Sequence, residues 1–222
     1  MSARSLLRVL LLFSLLVLAA CAGGRAARTF IPVSDESLRE ALTAWSGVRD
    51  RAAALASSRL LYDAKMGRGG VAAVPGTLAV TYAGGKVEKA SLTGPFGARV
   101  AEYRGGTVIG DDHRAFVVDP DSLRSVLAGV WTGSAPTVAG RDGNDFLLKW
   151  PGSVRVEAVL DVAGKRLRSL EIDGAAGHLI VLYSGATEPW PERIALRDQR
   201  SGRSLSLRLV TAEPMSRDAS PP

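Results

Sequence analysis

The side chains able to titrate, attack or ligate are few. Cys21 is the only thiol, and His113 and His178 are the only imidazoles, in 222 residues. A lone cysteine cannot close an intramolecular disulfide, which leaves a chemical use for Cys21. Asp111-Asp112-His113 is the one compact polar cluster. Neighbours on an extended segment point to opposite faces, so a metal there would need further ligands from elsewhere. A solvated turn and a hydrolase working at that cluster are the two readings. His178 opens a predicted strand without an evident acidic partner, which fits a structural role. Asp142-Gly143-Asn144-Asp145 carries part of a calcium-loop pattern but lacks its spacing and its terminal Glu, and reads as a turn. No G-x-S-x-G, H-E-x-x-H or phosphate-binding loop is present. The inventory predicts a binding protein and not an enzyme, with no metal and no diffusible cofactor.

Gly94-Pro95-Phe96-Gly97 is a different kind of feature. Proline fixes its own φ and two glycines flank a large aromatic, so the loop can project Phe96 away from the fold. An exposed Phe there would mark a membrane or partner contact. The alternative is that Phe96 folds back and caps the core.

The thiol acquires a meaning from what precedes it. Arg4 and Arg8 give a positive start, and Val9 to Ala20 is apolar apart from Ser14. That run is too short for a membrane-spanning helix, which needs about 20 residues. It matches the apolar region of a cleavable signal, residues 1–20. Leu18-Ala19-Ala20-Cys21 resembles the lipobox of bacterial lipoproteins, the alternative being an ordinary secretory signal. The resemblance implies a diacylglycerol on the Cys21 thiol and an acyl chain on the new amine. Such chains stabilise membrane attachment by about 0.8 kcal/mol per buried methylene. Ala22, where an Asp would mark inner-membrane retention in enteric bacteria, points to the outer membrane with the domain facing the periplasm. Of the net charge of +6, two units belong to Arg4 and Arg8, leaving +4 after cleavage. The basic residues are scattered, without the clustered patch a nucleic-acid partner requires.

The elements that must position these residues follow from periodicity. Residues 21–33 read as a tether. A helix is expected over about 35–50, reaching toward 56, with Leu38, Leu42, Trp45 and Val48 on one face. Strands are expected at 58–65, 76–83, 87–92, 98–104, 107–109 and 114–118, joined by Gly-rich turns. A second helix begins at Asp119-Pro120 and carries Leu123, Val126, Leu127 and Val130 on one face. Strands resume at 145–149, 154–162, 166–173, 178–184, 192–198 and 204–210, and 211–222 reads as a frayed tail. These short strands and two amphipathic helices predict a mainly β (α+β) domain over residues 34–210. Its strongly curved antiparallel half-barrel sheet would have the helices as a lid over an apolar cavity.

Three segments resemble the LolB family of outer-membrane lipoprotein acceptors. Leu92-Thr-Gly-Pro-Phe-Gly97 is similar to its N-P-L-G-type protruding loop. Leu123-Arg-Ser-Val-Leu-Ala-Gly129 is similar to its L-x-x-W-I-x-G helix segment. Trp190-Pro-Glu-Arg-Ile194, followed by Ser204 to Leu209, resembles its closing strand pair. Val126 stands where the family has Trp, with Trp131 further on, and no Trp follows Val210. The resemblance implies a monomer that takes lipoprotein acyl chains from a LolA-like periplasmic carrier and places them in the outer-membrane bilayer. Gly94, Pro95, Phe96 and Gly97 would form its membrane-insertion loop. Leu78, Val80, Val100, Leu123, Leu127 and Val130, as inward apolar positions, would line the acyl cavity. A structural or assembly lipoprotein that holds a protein partner on the same fold is the competing expectation.

Overall fold

A computed structural model describes residues 29–69, 71–104, 107–110, 120–131, 134–175, 177–185 and 189–215, with backbone only at 107–110, 120 and 121. Cys21, Asp111, Asp112, His113 and the expected strand at 114–118 lie outside the described residues.

Helix α1 spans Asp35–Ala53. The Ser34 hydroxyl accepts the Ser37 N–H, and Asp35 and Glu36 lie in the first turn, where carboxylates favour the helix dipole. Ala41, Trp45 and Val48 are the buried stripe. Leu42 is 38% exposed, so the stripe is rotated from the expected one, with Ala41 taking the inner position. The indole of Trp45 meets Trp150 edge-on, ring centroids 5.1 Å apart. Trp150 in turn donates its N–H to the Ser134 carbonyl at 2.7 Å. Helix α2 spans Pro120–Ala128, and Val126, Leu127 and Val130 are fully buried. The buried Tyr183 hydroxyl donates to the Val126 carbonyl at 3.1 Å, fixing α2 against the sheet.

The described residues contain twelve strands: β1 Ser58–Arg68, β2 Val74–Ala83, β3 Lys86–Thr93, β4 Arg99–Arg104, β5 Thr107–Gly110, β6 Thr137–Asp142, β7 Asp145–Trp150, β8 Arg155–Asp161, β9 Arg166–Gly174, β10 Gly177–Ser184, β11 Arg193–Asp198 and β12 Arg203–Pro214. They form one antiparallel sheet ordered β5-β4-β3-β2-β1-β12-β11-β10-β9-β8-β7-β6. The chain enters at the middle, meanders out to one edge, passes through α2 to the other edge, and meanders back to lay β12 against β1. The sheet stays open, with β5 and β6 as its edges. Ala83-Gly84-Gly85-Lys86 is a two-residue hairpin whose glycines sit at φ 57 and 74, as a primed turn needs. Bulges interrupt the register at Leu61/Tyr62, Thr81/Tyr82, Leu92/Thr93, Val138/Gly140 and Val159/Leu160, each bending its strand. The inward residues of the sheet and of both helices join in one core, in which Tyr62, Tyr82, Phe146 and Leu60 are among the largest fully buried side chains.

Three expectations need correction. Strand β6 was not anticipated; it is an edge strand broken by Gly140, with a weak apolar pattern. The final strand runs to Pro214 and not to Val210, because Ser58–Leu61 of β1 pair with Thr211–Pro214. The end of the tether is docked: Ile31 forms a two-hydrogen-bond bridge with Arg141, at 2.9 and 2.8 Å, and Phe30 packs over Gly140.

Candidate functional site

Strands β3 and β4 end in the loop that carries Phe96. The Gly94 N–H donates to the Ala98 carbonyl at 2.7 Å and the Ala98 N–H to the Pro95 carbonyl at 3.3 Å, closing a short 3-10 turn. Phe96 at its apex has φ 57 and ψ 23 and a relative exposure of 108%, so its whole ring stands in solvent. Gly97 follows at φ 75. A left-handed backbone is unfavourable for a bulky L-residue by about 1–2 kcal/mol. Loop closure holds the aromatic outward despite that cost, and the fold-back alternative does not occur.

The six residues expected to line a cavity come together in the packed core. Leu78, Val80, Leu127 and Val130 are buried, while Val100 and Leu123 are half-buried against the same cluster. An open recess has other walls. It is a groove of about 680 Å³ between the end of α1 and the paired ends of β1 and β12, bounded by Leu55, Ala56, Ser58, Trp190, Ala212 and Pro214, with Arg51 at its rim. Trp190 is held edge-on against Tyr82 at 4.8 Å between centroids. The groove's size lies within the range of small-molecule sites, roughly 300–1,000 Å³. A second recess of about 30 Å³, between Val48, Ala128, Leu167 and Tyr183, has room for one water. The groove opens where β1 begins and Phe96 projects near where β1 ends. Thr93, which leads into the Phe96 loop, is level with Thr77 and Asp63, whereas the groove lies at Ser58.

The buried polar groups are arranged for structure. Burial pushes the Tyr62 hydroxyl up, and it has no hydrogen-bond partner among the described residues. Burial and the neighbouring Tyr62 push Tyr183 up as well, so both phenols stay neutral at any physiological pH. Asp161 experiences burial, which raises it, but the Gly164 N–H, Arg168 and Arg166 together hold its carboxyl below the usual range. Its oxygens lie 3.1 Å from Arg168 and 3.6 Å from Arg166. Asp142 to Asp145 is the β6–β7 turn, with Gly143 at φ 60. His178 does have an acidic partner: its Nε2 lies 2.7 Å from Glu171 Oε1 across the β9–β10 pair, a contact set by register and invisible in sequence spacing. Among the described residues no three metal-ligating side chains come together, and no helix is long and apolar enough to cross a membrane.

A LolA superfamily protein from Nitrosomonas europaea superposes with a TM-score of 0.51 at 12% identity, covering 78% of this chain and 94% of its own. The fold is of the LolA/LolB type. An outer membrane lipoprotein-sorting protein domain assigned in Vibrio parahaemolyticus gives 0.48 at 12% identity over 81% of this chain and 94% of that one. No family model and no curated protein matches the sequence. The Phe96 loop falls between β3 and β4. Two of the groove's lining residues, Ala212 and Pro214, belong to the segment that the sequence presents as a frayed tail. The available signal was the alternation Leu205, Leu207, Leu209, which carries a strand up to Val210 and beyond.

Proposed function

We propose that this chain is a membrane-anchored lipid- and lipoprotein-binding module, without enzymatic activity, that accepts acyl chains of lipoproteins and helps place them in the outer membrane. The observation that carries the reading is Phe96, wholly exposed on a loop that fixes it outward. A solvent-facing Phe is favourable only where something apolar receives it, and burying it there stabilises contact by about 1.5–3 kcal/mol. The groove beside Trp190 supplies an apolar-walled space for an acyl chain, each buried methylene adding about 0.8 kcal/mol. Cys21, acylated by diacylglycerol and an N-acyl chain, holds the domain at the periplasmic face of the membrane, where a LolA-like carrier delivers cargo. Binding of this kind needs no nucleophile, metal or cofactor, and a monomer suffices.

The test is mass spectrometry of the protein purified in mild detergent, together with lipoprotein delivery by Phe96→Glu. The reading expects co-purifying acyl lipid, and a variant that folds normally but delivers poorly. Unchanged delivery would remove the role of Phe96. A second reading, an assembly lipoprotein that binds a protein partner, is favoured by the dense packing of Leu78, Val80, Leu127 and Val130 inside the sheet. It expects a stoichiometric protein partner and an empty groove.

A further inference from the structure

Four successive antiparallel strands place the β1–β2 and β3–β4 connections at the same end of the sheet, and the β2–β3 turn at the other. Phe96 is therefore not alone at its edge. Val71 is 69% exposed and Val74 43%, and Ala72, Ala73, Pro75 and Pro95 are exposed around them. Backbone hydrogen bonds hold the described residues of the β1–β2 connection. The Val71 N–H donates to the Arg68 carbonyl at 3.0 Å and the Gly69 N–H to the Gly202 carbonyl at 3.1 Å. Met66 ties the two tips together from below, its Cε lying 2.8 Å from where a Cβ on Gly76 would stand and 4.0 Å from one on Gly94.

The segments that form the two tips carry cations and no carboxylate, with Asp63 and Glu102 just outside them. No acidic residue occurs from Ala64 to Val87 or from Lys89 to Ala101, whereas Lys65, Arg68 and Arg99 flank the tips. Arg99 reaches Glu102 at 2.7 Å; Arg68 lies exposed at the foot of the Val71 connection. An apolar rim bordered by cations matches a bilayer surface with anionic headgroups: apolar tips enter the acyl region while guanidinium and ammonium groups stay among the phosphates. A protein partner with an apolar patch would not require cations at both tips.

We infer that the β1–β2 connection at Val71 is a second membrane-insertion point beside Phe96, and that Lys65, Arg68 and Arg99 make this docking edge prefer anionic lipid. The inference extends the membrane contact proposed above for Phe96 but does not depend on acyl binding in the groove. It also sets an orientation, with the edge on the bilayer and the groove turned toward the periplasm.

The test uses the anchored chain reconstituted in vesicles of phosphatidylcholine alone or mixed with phosphatidylglycerol. An environment-sensitive fluorophore is placed on Val71→Cys, on Phe96→Cys or, as a control away from the edge, on Leu182→Cys. Spin-labelled lipid should quench the probes at 71 and 96 in the phosphatidylglycerol vesicles and leave the probe at 182 unquenched. Arg68→Gln should lower the docked-to-undocked ratio about fivefold, the loss expected for one cation at an anionic surface. Quenching at 96 without quenching at 71 overturns the second insertion point while leaving the role of Phe96 intact. Equal quenching at 71 in both compositions overturns the anionic preference. Docking of both tips by a protein that binds no acyl chain would overturn the transport reading and sustain this one.

Discussion

Phe96→Gly separates the cost of the exposed aromatic from its use. The native residue holds φ 57 and ψ 23, which is unfavourable for a bulky side chain by about 1–2 kcal/mol and free for glycine. Glycine adds conformational freedom to the unfolded chain, a loss of roughly 0.5–1 kcal/mol. The ring is fully exposed, so its removal loses no core packing. The balance is a variant as stable as the wild type or more stable by up to about 1.5 kcal/mol, a rise of roughly 0–5 °C in melting temperature for a domain of this size. Membrane docking moves the other way. Losing the 1.5–3 kcal/mol of Phe burial reduces the docked-to-undocked ratio roughly 10- to 150-fold. Thermal unfolding by circular dichroism reads the first quantity. Lipid quenching of a fluorophore on Ala98→Cys, in vesicles carrying the anchored chain, reads the second. A drop in stability beyond about 2 kcal/mol would mean that the ring packs against the domain, and unchanged docking would mean that it never enters the bilayer; either refutes the reasoning.

Three further predictions concern the frame that holds these surfaces. Trp45→Ala removes the contact of α1 with Trp150 and should cost about 3–5 kcal/mol, seen as a shift in the urea midpoint. Gly76→Ala should cost about 1–3 kcal/mol, because an added Cβ would overlap the Thr93 carbonyl oxygen, which the β2–β3 ladder holds in place. Asp161 has its folded pKa below the unfolded value of about 3.9. Its contribution is therefore present above that value and is lost as pH falls through the folded one. Asp161→Asn should be less stable at pH 7 and show a shallower acid limb below about pH 4 in a series of denaturant titrations.

Most of the sheet was readable in advance because its strands keep strict alternation between tight turns. Leu78, Val80 and Tyr82 fall buried in register, as the period of two requires. Likewise Asp119-Pro120 marked the start of α2 and the Gly-Pro-Phe-Gly loop fell between two strands. What escaped depends on pairing across long sequence separations. Thr211–Pro214 look like a polar tail until β1 offers Ser58–Leu61 as partners. Ile31 looks like tether until Arg141 bridges to it. Whether Phe96 points out or in is undecidable from composition, since it turns on two backbone hydrogen bonds and two left-handed residues. The groove was hidden for the same reason as the end of β12, being formed where the two halves of the chain meet.

The central claim, that the domain holds an acyl chain, is tested most directly by displacement of a fluorescent fatty acid from the purified protein. Ala212→Trp is the comparison, since Ala212 is exposed on the groove wall and the larger side chain fills the space without entering the core. The account predicts saturable, one-to-one binding to the wild type that is lost in Ala212→Trp while the melting temperature is unchanged. Absence of saturable binding, or equal binding by both proteins, would contradict it.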